Sequence, residues 1–259
     1  MTDYRYRILN VFTLGRDKLS GNPLCVFEDA RGLDDATLQA LARQFNLSET
    51  TFIFPSAKAT ARARIFTPTF ELPFAGHPTL GTAHVVRALT QCGDAVTLEL
   101  KAGVIPVSAV GDAWTLRANP PTWRAVDANR AQLAEMLGID TAELGADPLW
   151  VNTGSEQLVI PLTTIAAVER CRPVESLLAR HARVNDTRYL AYVWARASDA
   201  EIHARFFFAK GSSVVEDPAT GSACANLGGW FVATGAGLPL SVRIRQGDAV
   251  GDRHCLACG

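Results

Sequence analysis

Two short stretches of the chain place a titratable side chain directly before a proline, namely His77-Pro78 and Asp217-Pro218. Proline is favoured at the first position of a helix, where the amide that it lacks would have no partner, and the residue before it occupies the N-cap. Both stretches therefore predict the start of a helix. Because the free amides of a helix start attract carboxylates and developing oxyanions, we interpret His77 and Asp217 as parts of an acid–base site for a small anionic substrate.

The residues that follow each proline repeat. The stretch HPTLGTA, which begins at His77, aligns with DPATGSA, which begins 140 positions later (217 against 77). A glycine inside a helix costs about 1 kcal/mol relative to alanine, and this cost is reasonable where a ligand approaches the backbone closely. The hydroxyl after the glycine can add a hydrogen bond. The candidate substrate-binding residues around the two helix starts are Gly76, Thr79, Gly81, Thr82, Gly221 and Ser222.

A structural interpretation of the same residues stays open. Asp217 can act as an ordinary N-cap, His77 as a satisfied polar residue, and the glycines as packing positions between a helix and a sheet. The repetition favours chemistry, because titratable residues stand at both equivalent positions and histidine is a poor cap. If the two halves pack about a pseudo-twofold axis, both helix starts face one cleft.

A third candidate is Glu49, which stands directly before the apolar stretch TTFIF. A carboxylate is out of character at the start of an apolar strand, and burial against Phe52 or Phe54 would favour a role as general base. The alternative is a solvated residue at the corner between a helix and a strand. We take Glu49, His77 and Asp217 as the catalytic candidates.

The predicted elements that hold these residues also occur twice. Each half contains strands and a helix, then a helix that is apolar on nearly every face, and then further strands. A helix of this kind is typical of a buried position, and we predict these central helices over residues 78–89 and 218–233. Two successive prolines, Pro120-Pro121, can continue neither a helix nor a strand ladder. We therefore expect two domains, 1–119 and 120–259, and leave open that the last strand packs on the N-terminal one.

Composition excludes several classes of protein. Of the 259 residues, 48% are hydrophobic and 20% are charged, the formal net charge is −1, and the basic residues are scattered. These values favour a folded protein that binds neither nucleic acid nor a membrane. No apolar run reaches the ~20 residues that span a bilayer. The N-terminus lacks the residue order of a signal peptide, so we expect a cytoplasmic location.

The six cysteines show no spacing typical of a disulfide framework. Cys255 and Cys258 form a C-x-x-C beside His254, but a zinc site needs about four ligands and no second pair lies near in the sequence. We interpret this segment as a frayed terminus, and we predict no metal and no cofactor.

Five stretches of the chain share a pattern with one known family. They are Gly21–Val26 (GNPLCV), Leu47–Thr50 (LSET), Phe66–Pro68 (FTP), Glu71–Ala83 (ELPFAGHPTLGTA) and Glu216–Ala223 (EDPATGSA). In this order, they resemble the PhzF phenazine-biosynthesis family over most of the chain. The resemblance implies an α+β fold of the diaminopimelate-epimerase type. In that fold, two pseudo-symmetric domains each wrap a curved sheet or barrel around a central helix, and the active site lies between them.

The same resemblance implies roles for the candidate residues. Glu49 falls on the family's acid–base glutamate, which shuttles a proton between ring carbons. His77, Asp217 and Ser222 fall on residues that hold the polar groups of the substrate and relay protons. The implied reaction is an isomerisation of trans-2,3-dihydro-3-hydroxyanthranilate that needs neither cofactor nor metal. The implied assembly is a homodimer.

The departures from this pattern leave two alternatives open. Racemases of the fold use two cysteines, but here Ala75 and Asp217 stand at those positions and Cys224 lies one turn too deep. A racemase or epimerase of a small amino or hydroxy acid would therefore have to use non-thiol bases. The second alternative is a non-catalytic protein that binds a small anion. The end of the chain also departs from the family pattern, so the last strand is expected to be degraded or to end early.

Overall fold

The computed structural model describes residues 3–15, 17–186, 188–250 and 254–258. The question of metal binding by His254, Cys255 and Cys258 falls on side chains outside the described part.

The chain divides into two compact units. The first contains Met1–Val11 and Asn22–Arg117, and the second contains Phe12–Gly21 and Ala118–Gly259. The later division falls beside Pro120-Pro121, where the sequence places the boundary. The short segment 12–21 differs from the expectation, because it groups with the second unit although it precedes most of the first.

The first unit is built on one mixed sheet. Its strands are β1 (Tyr6–Val11), β2 (Asn22–Phe27), β3 (Thr50–Phe54), β4 (Ala61–Phe66), β5 (Glu71–Leu72), β6 (Ala95–Leu100), β7 (Gly103–Val110) and β8 (Ala113–Leu116), and its helices are α1 (Asp35–Phe45) and α2 (Gly76–Thr90). The strand order is β1-β2-β3-β4-β6-β7-β8, with β5 paired to β4. Two pairs are parallel, β2 with β3 and β4 with β6. A helix lies in each of the two connections, as parallel pairing requires a crossover.

Helix α2 lies at the centre of this unit. It packs on β1 and β8, the two ends of the strand order, and also on β2, β3, β4 and β6. One helix can touch both ends of a sheet only if the sheet curves around it. Ala83, Val85 and Val86 of the helix share a core with Leu24 and Leu98 of the strands. The buried central helix that the sequence predicts is therefore present, over Gly76–Thr90.

Helix α1 packs on the opposite face of the same sheet. Cys25 and Phe27 alternate along β2 with Leu24 and Val26, and the two sets belong to different cores. The helix begins after the cap Asp34, whose side chain accepts a hydrogen bond from the backbone N–H of Thr37. It ends at Asn46, which adopts the left-handed conformation. The chain then turns into β3, and this turn carries Glu49.

The second unit repeats this plan. Its strands are β9 (Thr122–Ala125), β10 (Leu149–Asn152), β11 (Gln157–Pro161), β12 (Arg183–Asn185), β13 (Arg188–Arg196), β14 (Glu201–Lys210), β15 (Ser213–Asp217), β16 (Val242–Gln246) and β17 (His254–Cys258), and its helices are α3 (Arg130–Leu137), α4 (Ile165–Arg170), α5 (Glu175–His181) and α6 (Gly221–Ala233). The strand order is β17-β16-β14-β13-β11-β10-β9, with β12 paired to β13 and β15 paired to β14. Helix α6 packs on β9 and β17, the two ends of this order. This sheet too curves around its helix.

The two units share a topology, and this confirms the predicted duplication. In each, an antiparallel pair precedes the central helix, β4 with β5 before α2 and β14 with β15 before α6. In each, the strand after the helix returns parallel to the longer member of that pair, β6 to β4 and β16 to β14. The parallel pairs whose strands are joined through the first crossover of each unit also correspond, β2 with β3 and β11 with β13.

The last strand differs from the expectation of a frayed or degraded terminus. Strand β17 pairs antiparallel with β16 along all five residues of each. Residues of β16 alternate between buried and exposed, and its buried Ile244 stands opposite the buried Leu256. This burial gives the terminal strand an apolar anchor in the second unit.

Candidate functional site

His77 is the second residue of α2, not its N-cap. The helix begins at Gly76 and its N-cap is Ala75, which provides no side-chain cap. The backbone N–H and the hydroxyl of Thr79 both donate to the carbonyl oxygen of Ala75, over 3.2 and 2.6 Å. Pro78 therefore stands inside the first turn, where a missing N–H breaks no helical hydrogen bond. The prediction of a helix start at this motif is right, but it was placed two residues too late.

Glu49 and His77 come together at this helix start. The Oε2 atom of Glu49 lies 3.6 Å from Nε2 of His77, and the two side chains are only 17% and 7% exposed. The burial of the Glu49 side chain agrees with the expectation that it is withdrawn from water, and its contact with Phe52 or Phe54 stays a prediction. Glu49 directly precedes β3, and Thr51 of that strand bonds to Thr82 of α2.

Three other candidates in the first unit have structural partners. The hydroxyl of Thr82 donates to that of Thr51 over 2.8 Å, and both residues are fully buried. Thr79 closes the first helical turn. A Cβ atom on Gly81 would lie 2.6 Å from Cδ2 of Leu24 and 3.0 Å from Cγ2 of Val11. The group that approaches the Gly81 backbone closely is thus the sheet of the same unit.

Asp217 is the last residue of β15, not the N-cap of a helix. It pairs with Phe206 of β14, and α6 begins only at Gly221 with Thr220 as its N-cap. The ladder to β14 holds Asp217 in extended backbone, which delays the helix by three residues. The aligned motifs therefore differ in local structure, because α2 begins one residue before His77 and α6 begins four residues after Asp217.

The surroundings of Asp217 alter its acidity. Burial raises the pKa of its carboxyl to about 6, the hydrogen bond from Thr220 opposes this rise, and the charge of Glu216 adds to it. The hydroxyl of Thr220 donates to Oδ2 of Asp217. The side-chain amide of Gln246 donates to the hydroxyl of Thr220 over 2.9 Å and to the Asp217 carbonyl over 2.8 Å. A carboxyl with this pKa populates both protonation states near neutral pH.

Ser222 is the second residue of α6 and belongs to a buried polar network. Its Oγ accepts a hydrogen bond of 2.8 Å from Nε2 of Gln157, whose Oε1 accepts one of 2.8 Å from Nδ2 of Asn226. Gln157 is 2% exposed and Asn226 is fully buried. Gly221, the first residue of the helix, is partly buried beside them.

The sequence interpretation missed Gln157, Asn226, Thr220 and Gln246. A signal was present for two of them, since Gln157 opens the apolar strand QLVIP and Asn226 interrupts the apolar helix GSACANLGGWFVA. A polar residue inside an apolar element is either bonded to a partner or destabilising, so its presence predicts a buried hydrogen bond. The partner itself is not visible in the sequence.

A buried ion pair anchors the strand that carries Asp217. Arg205 of β14 bonds to Glu216 with Nη2 and Oε2 2.7 Å apart, and both side chains are 7% exposed. The same guanidinium donates to the carbonyls of Val168, Glu169 and Cys171. The first unit has the counterpart pair of Arg64 and Glu71 on β4 and β5.

The family model of phenazine biosynthesis-like proteins (PhzC-PhzF) matches residues 9–257 of this chain. The chain belongs to this family. An uncharacterized isomerase of Pasteurella multocida is 39% identical over 254 residues, which cover 96% of this chain and 84% of the relative. The trans-2,3-dihydro-3-hydroxyanthranilate isomerase of Pseudomonas aeruginosa is 34% identical over 231 residues, which cover 86% of this chain and 78% of the relative.

A solved structure of a phenazine biosynthesis protein of the PhzF family from Bacillus anthracis is similar in fold. Its TM-score is 0.85 at 22% identity, and the match covers 99% of this chain and 90% of that one. The two duplicated units with curved sheets are thus the fold of the family. Like its named relatives, this PhzF-family chain is an isomerase.

Two further observations bear on binding. Among the described residues, no group of three or more His, Cys, Asp or Glu side chains is arranged to hold a metal ion. No helix in the described part of the chain combines the length and the hydropathy needed to cross a bilayer.

Proposed function

We propose that this protein catalyses an intramolecular proton shift on a small cyclic or unsaturated amino or hydroxy carboxylic acid. Glu49 is the proton carrier in this proposal. His77 is its partner, and Asp217 and Ser222 recognise the polar groups of the substrate.

The observation that carries the proposal is the pair of Glu49 and His77. Their facing atoms lie 3.6 Å apart, and both side chains are largely withdrawn from water. A carboxylate in such a place can take a proton from one carbon of the substrate and deliver a proton to another carbon. While the deprotonated substrate is an anion, His77 can take over the proton that Glu49 has abstracted and return it for delivery to the second carbon.

Asp217 and Ser222 supply complementary recognition. A carboxyl whose pKa is about 6 can accept a hydrogen bond from an amine or hydroxyl when ionised, and can donate when protonated. Ser222 adds a hydroxyl, and the backbone amides at Gly76 and Gly221 stand in the first turn of their helices, where amides lack helical partners. The sequence also suggested three other substrate contacts, Thr79, Gly81 and Thr82. In this proposal they have a structural role instead, through packing and hydrogen bonds within the first unit.

The substrate that we propose to test first is trans-2,3-dihydro-3-hydroxyanthranilate. It is the substrate named for the Pseudomonas aeruginosa relative, which is 34% identical to this chain. The Pasteurella multocida relative is named only as an uncharacterized isomerase, so related cyclic amino acids form the second set of candidates.

The test is hydrogen exchange with solvent during turnover. Wild-type protein and candidate acids are incubated in D₂O, and the position of deuterium in recovered substrate and product is read by NMR. We expect deuterium at a ring carbon and a fall in rate of at least a thousandfold in Glu49→Gln, which keeps the shape but cannot carry the proton. Glu135→Gln, the same substitution at an exposed position on α3, is the control and should match wild type.

Three other outcomes would change the proposal. Exchange that persists in Glu49→Gln would remove Glu49 as the carrier. Deuterium with inversion at a stereocentre, seen by chiral separation, would favour a racemase with non-thiol bases. Binding without any exchange would favour a non-catalytic protein for small anions.

A further inference from the structure

In the second unit, a hydrogen-bonded chain of two side chains, Gln157 and Asn226, leads to the Ser222 hydroxyl. Gln157 Nε2 lies 2.8 Å from Ser222 Oγ, and Asn226 Nδ2 lies 2.8 Å from Gln157 Oε1. Gln157 and Asn226 are almost entirely removed from water. Buried amides are costly unless bonded, so the direction of each hydrogen bond in this network is decided by its neighbours.

The backbone fixes the orientation of Asn226. The N–H of Thr153 can only donate, and it lies 2.9 Å from the atom of Asn226 that must therefore be the oxygen. The carbonyl of Ser155 can only accept, and it lies 2.8 Å from the atom that must be the NH₂ group. The Thr153 hydroxyl, 2.7 Å from the same amide oxygen, agrees with this assignment. Two backbone groups on opposite sides leave Asn226 one orientation.

This orientation passes to Gln157 and then to Ser222. The second N–H of Asn226 faces Gln157, so the facing atom of Gln157 must be its oxygen. The amide nitrogen of Gln157 then points at Ser222 and donates to Oγ. A hydroxyl oxygen that accepts this bond directs its own proton away from Gln157.

We infer that Gln157 and Asn226 are positioning residues that fix Ser222 as a hydrogen-bond donor, and that the substrate group recognised there is an acceptor of the carboxylate class. The inference rests on the proposed role of Ser222 in substrate binding. A hydroxyl normally rotates between donor and acceptor roles, and fixing it beforehand removes that reorganisation from binding.

The hydrogen-bond relay, defined as Asn226 to Gln157 to Ser222, can be tested directly without a substrate. The side-chain amide protons of Gln157 are followed by NMR in ¹⁵N-glutamine-labelled protein, with Gln157→Met to assign them. We expect slow solvent exchange in wild type and a clear shift and faster exchange in Ser222→Ala, which removes the acceptor. Amide resonances unaffected by Ser222→Ala would overturn the relay.

The test of its consequence is a double-mutant cycle in the turnover of trans-2,3-dihydro-3-hydroxyanthranilate. Gln157→Glu keeps an acceptor for Asn226 but presents an oxygen to Ser222, so the hydroxyl proton is captured by residue 157. We expect KM to rise at least tenfold with kcat changed less than threefold, because ground state and transition state lose the same contact. In a Ser222→Ala background, Gln157→Glu should change KM less than twofold.

The outcomes separate the inference from the function on which it rests. An equal effect of Gln157→Glu with and without Ser222 would indicate the added charge alone and overturn the inference. An altered melting temperature with unchanged KM would assign the network to folding, which also overturns it. If Ser222→Ala itself leaves KM unchanged, the proposed role of Ser222 fails, while the NMR experiment still decides the polarity of the relay.

Discussion

Glu49, Asp217 and Ser222, three of the candidate site residues, each have a neighbour that restricts the direction or the charge of the side chain. Glu49 faces His77, Ser222 accepts from Gln157, and Asp217 accepts from Thr220. Such second contacts matter because a catalytic group must be in place before the substrate arrives, and rotation during the reaction raises the barrier. In this protein, the residues that make these second contacts are distant in sequence from the groups they hold, except for Thr220.

Thr220 allows the ionisation of Asp217 to be tested. Its hydroxyl bond lowers the pKa of Asp217, against burial, which raises it to about 6. In Thr220→Val the pKa of Asp217 should therefore rise further. In the proposed function, ionised Asp217 is the form that accepts a hydrogen bond from a substrate amine. The acid limb of the pH profile of kcat/KM should therefore move to higher pH, by about one pH unit.

The measurement needs a control for packing and for other charges. Thr220→Ser keeps the hydroxyl and should restore the wild-type profile. The N-cap position of Thr220 makes no side-chain capping bond, so its loss removes no cap. The charged group near Asp217 in the described structure is Glu216, which its partner Arg205 holds in both variants. Identical inflections in wild type and Thr220→Val would contradict the prediction.

At the scale of elements, each unit has one central helix with a sheet that curls tightly around it. This geometry requires small residues where helix and strand meet, as at Gly81 in α2 and Gly229 in α6. A Cβ atom on Gly229 would lie 2.8 Å from Cγ1 of Val151. The glycines thus set the depth of each helix in its sheet, and through it the position of the helix start.

Gly81→Ala should destabilise the protein in spite of the better helix propensity of alanine. The propensity gain is about 1 kcal/mol, whereas overpacking against Leu24 and Val11 costs about 1–3 kcal/mol. We expect a net loss of up to about 2 kcal/mol in the free energy of unfolding, measured in urea.

Gly237→Ala is the matched control for this substitution. Gly237 has no atom within 4 Å of the added Cβ and does not need a left-handed backbone. Its unfolding free energy should stay within about 0.5 kcal/mol of wild type. A higher free energy of unfolding in Gly81→Ala would show that packing is not the reason for glycine at this position. It would favour the alternative that a ligand approaches the Gly81 backbone.

The buried ion pairs have a related role at the element scale. Arg205 ties β14 and β15 to three carbonyls around α4, and Arg64 ties β4 and β5 to Asp35 at the start of α1. Each pair fixes the hairpin that leads into a central helix. The duplication therefore extends beyond the helix starts to the ion pairs that support them.

For the whole molecule, each unit has its own sheet and its own pair of hydrophobic cores. Both sheets end in edge strands with exposed residues, such as Trp123 on β9 and Ile8 on β1. Edge strands present unpaired backbone groups that can pair with another chain. This is the physical basis for expecting more than one copy in the working protein.

We predict a homodimer, as the family resemblance implies. Sedimentation equilibrium at micromolar concentration should give twice the chain mass of 27.9 kDa. The near-neutral net charge of −1 offers little repulsion against association. A mass of one chain across this concentration range would contradict the prediction.

The sequence alone determined the duplication, the two buried central helices and the family. These features come from local order and periodicity, because an apolar helix and a repeated motif are legible without knowledge of contacts. It also singled out Glu49, His77, Asp217 and Ser222 by residue type and by resemblance. It placed the helix starts wrongly, since pairing of β15 with β14 and the bonds of Thr79 decide where each helix begins.

Only the tertiary structure decided what these residues touch. The contact of Glu49 with His77 joins residues 28 positions apart (77 against 49), and the relay behind Ser222 joins Gln157 to a helix 65 positions later. Polarity in that relay is fixed by the backbone at Thr153 and Ser155, far from α6 in sequence. The side chains at the helix starts, which first suggested an acid–base site, are thus oriented by hydrogen-bond partners that no local sequence pattern reveals. The direction of a hydrogen bond depends on atoms that only folding brings together.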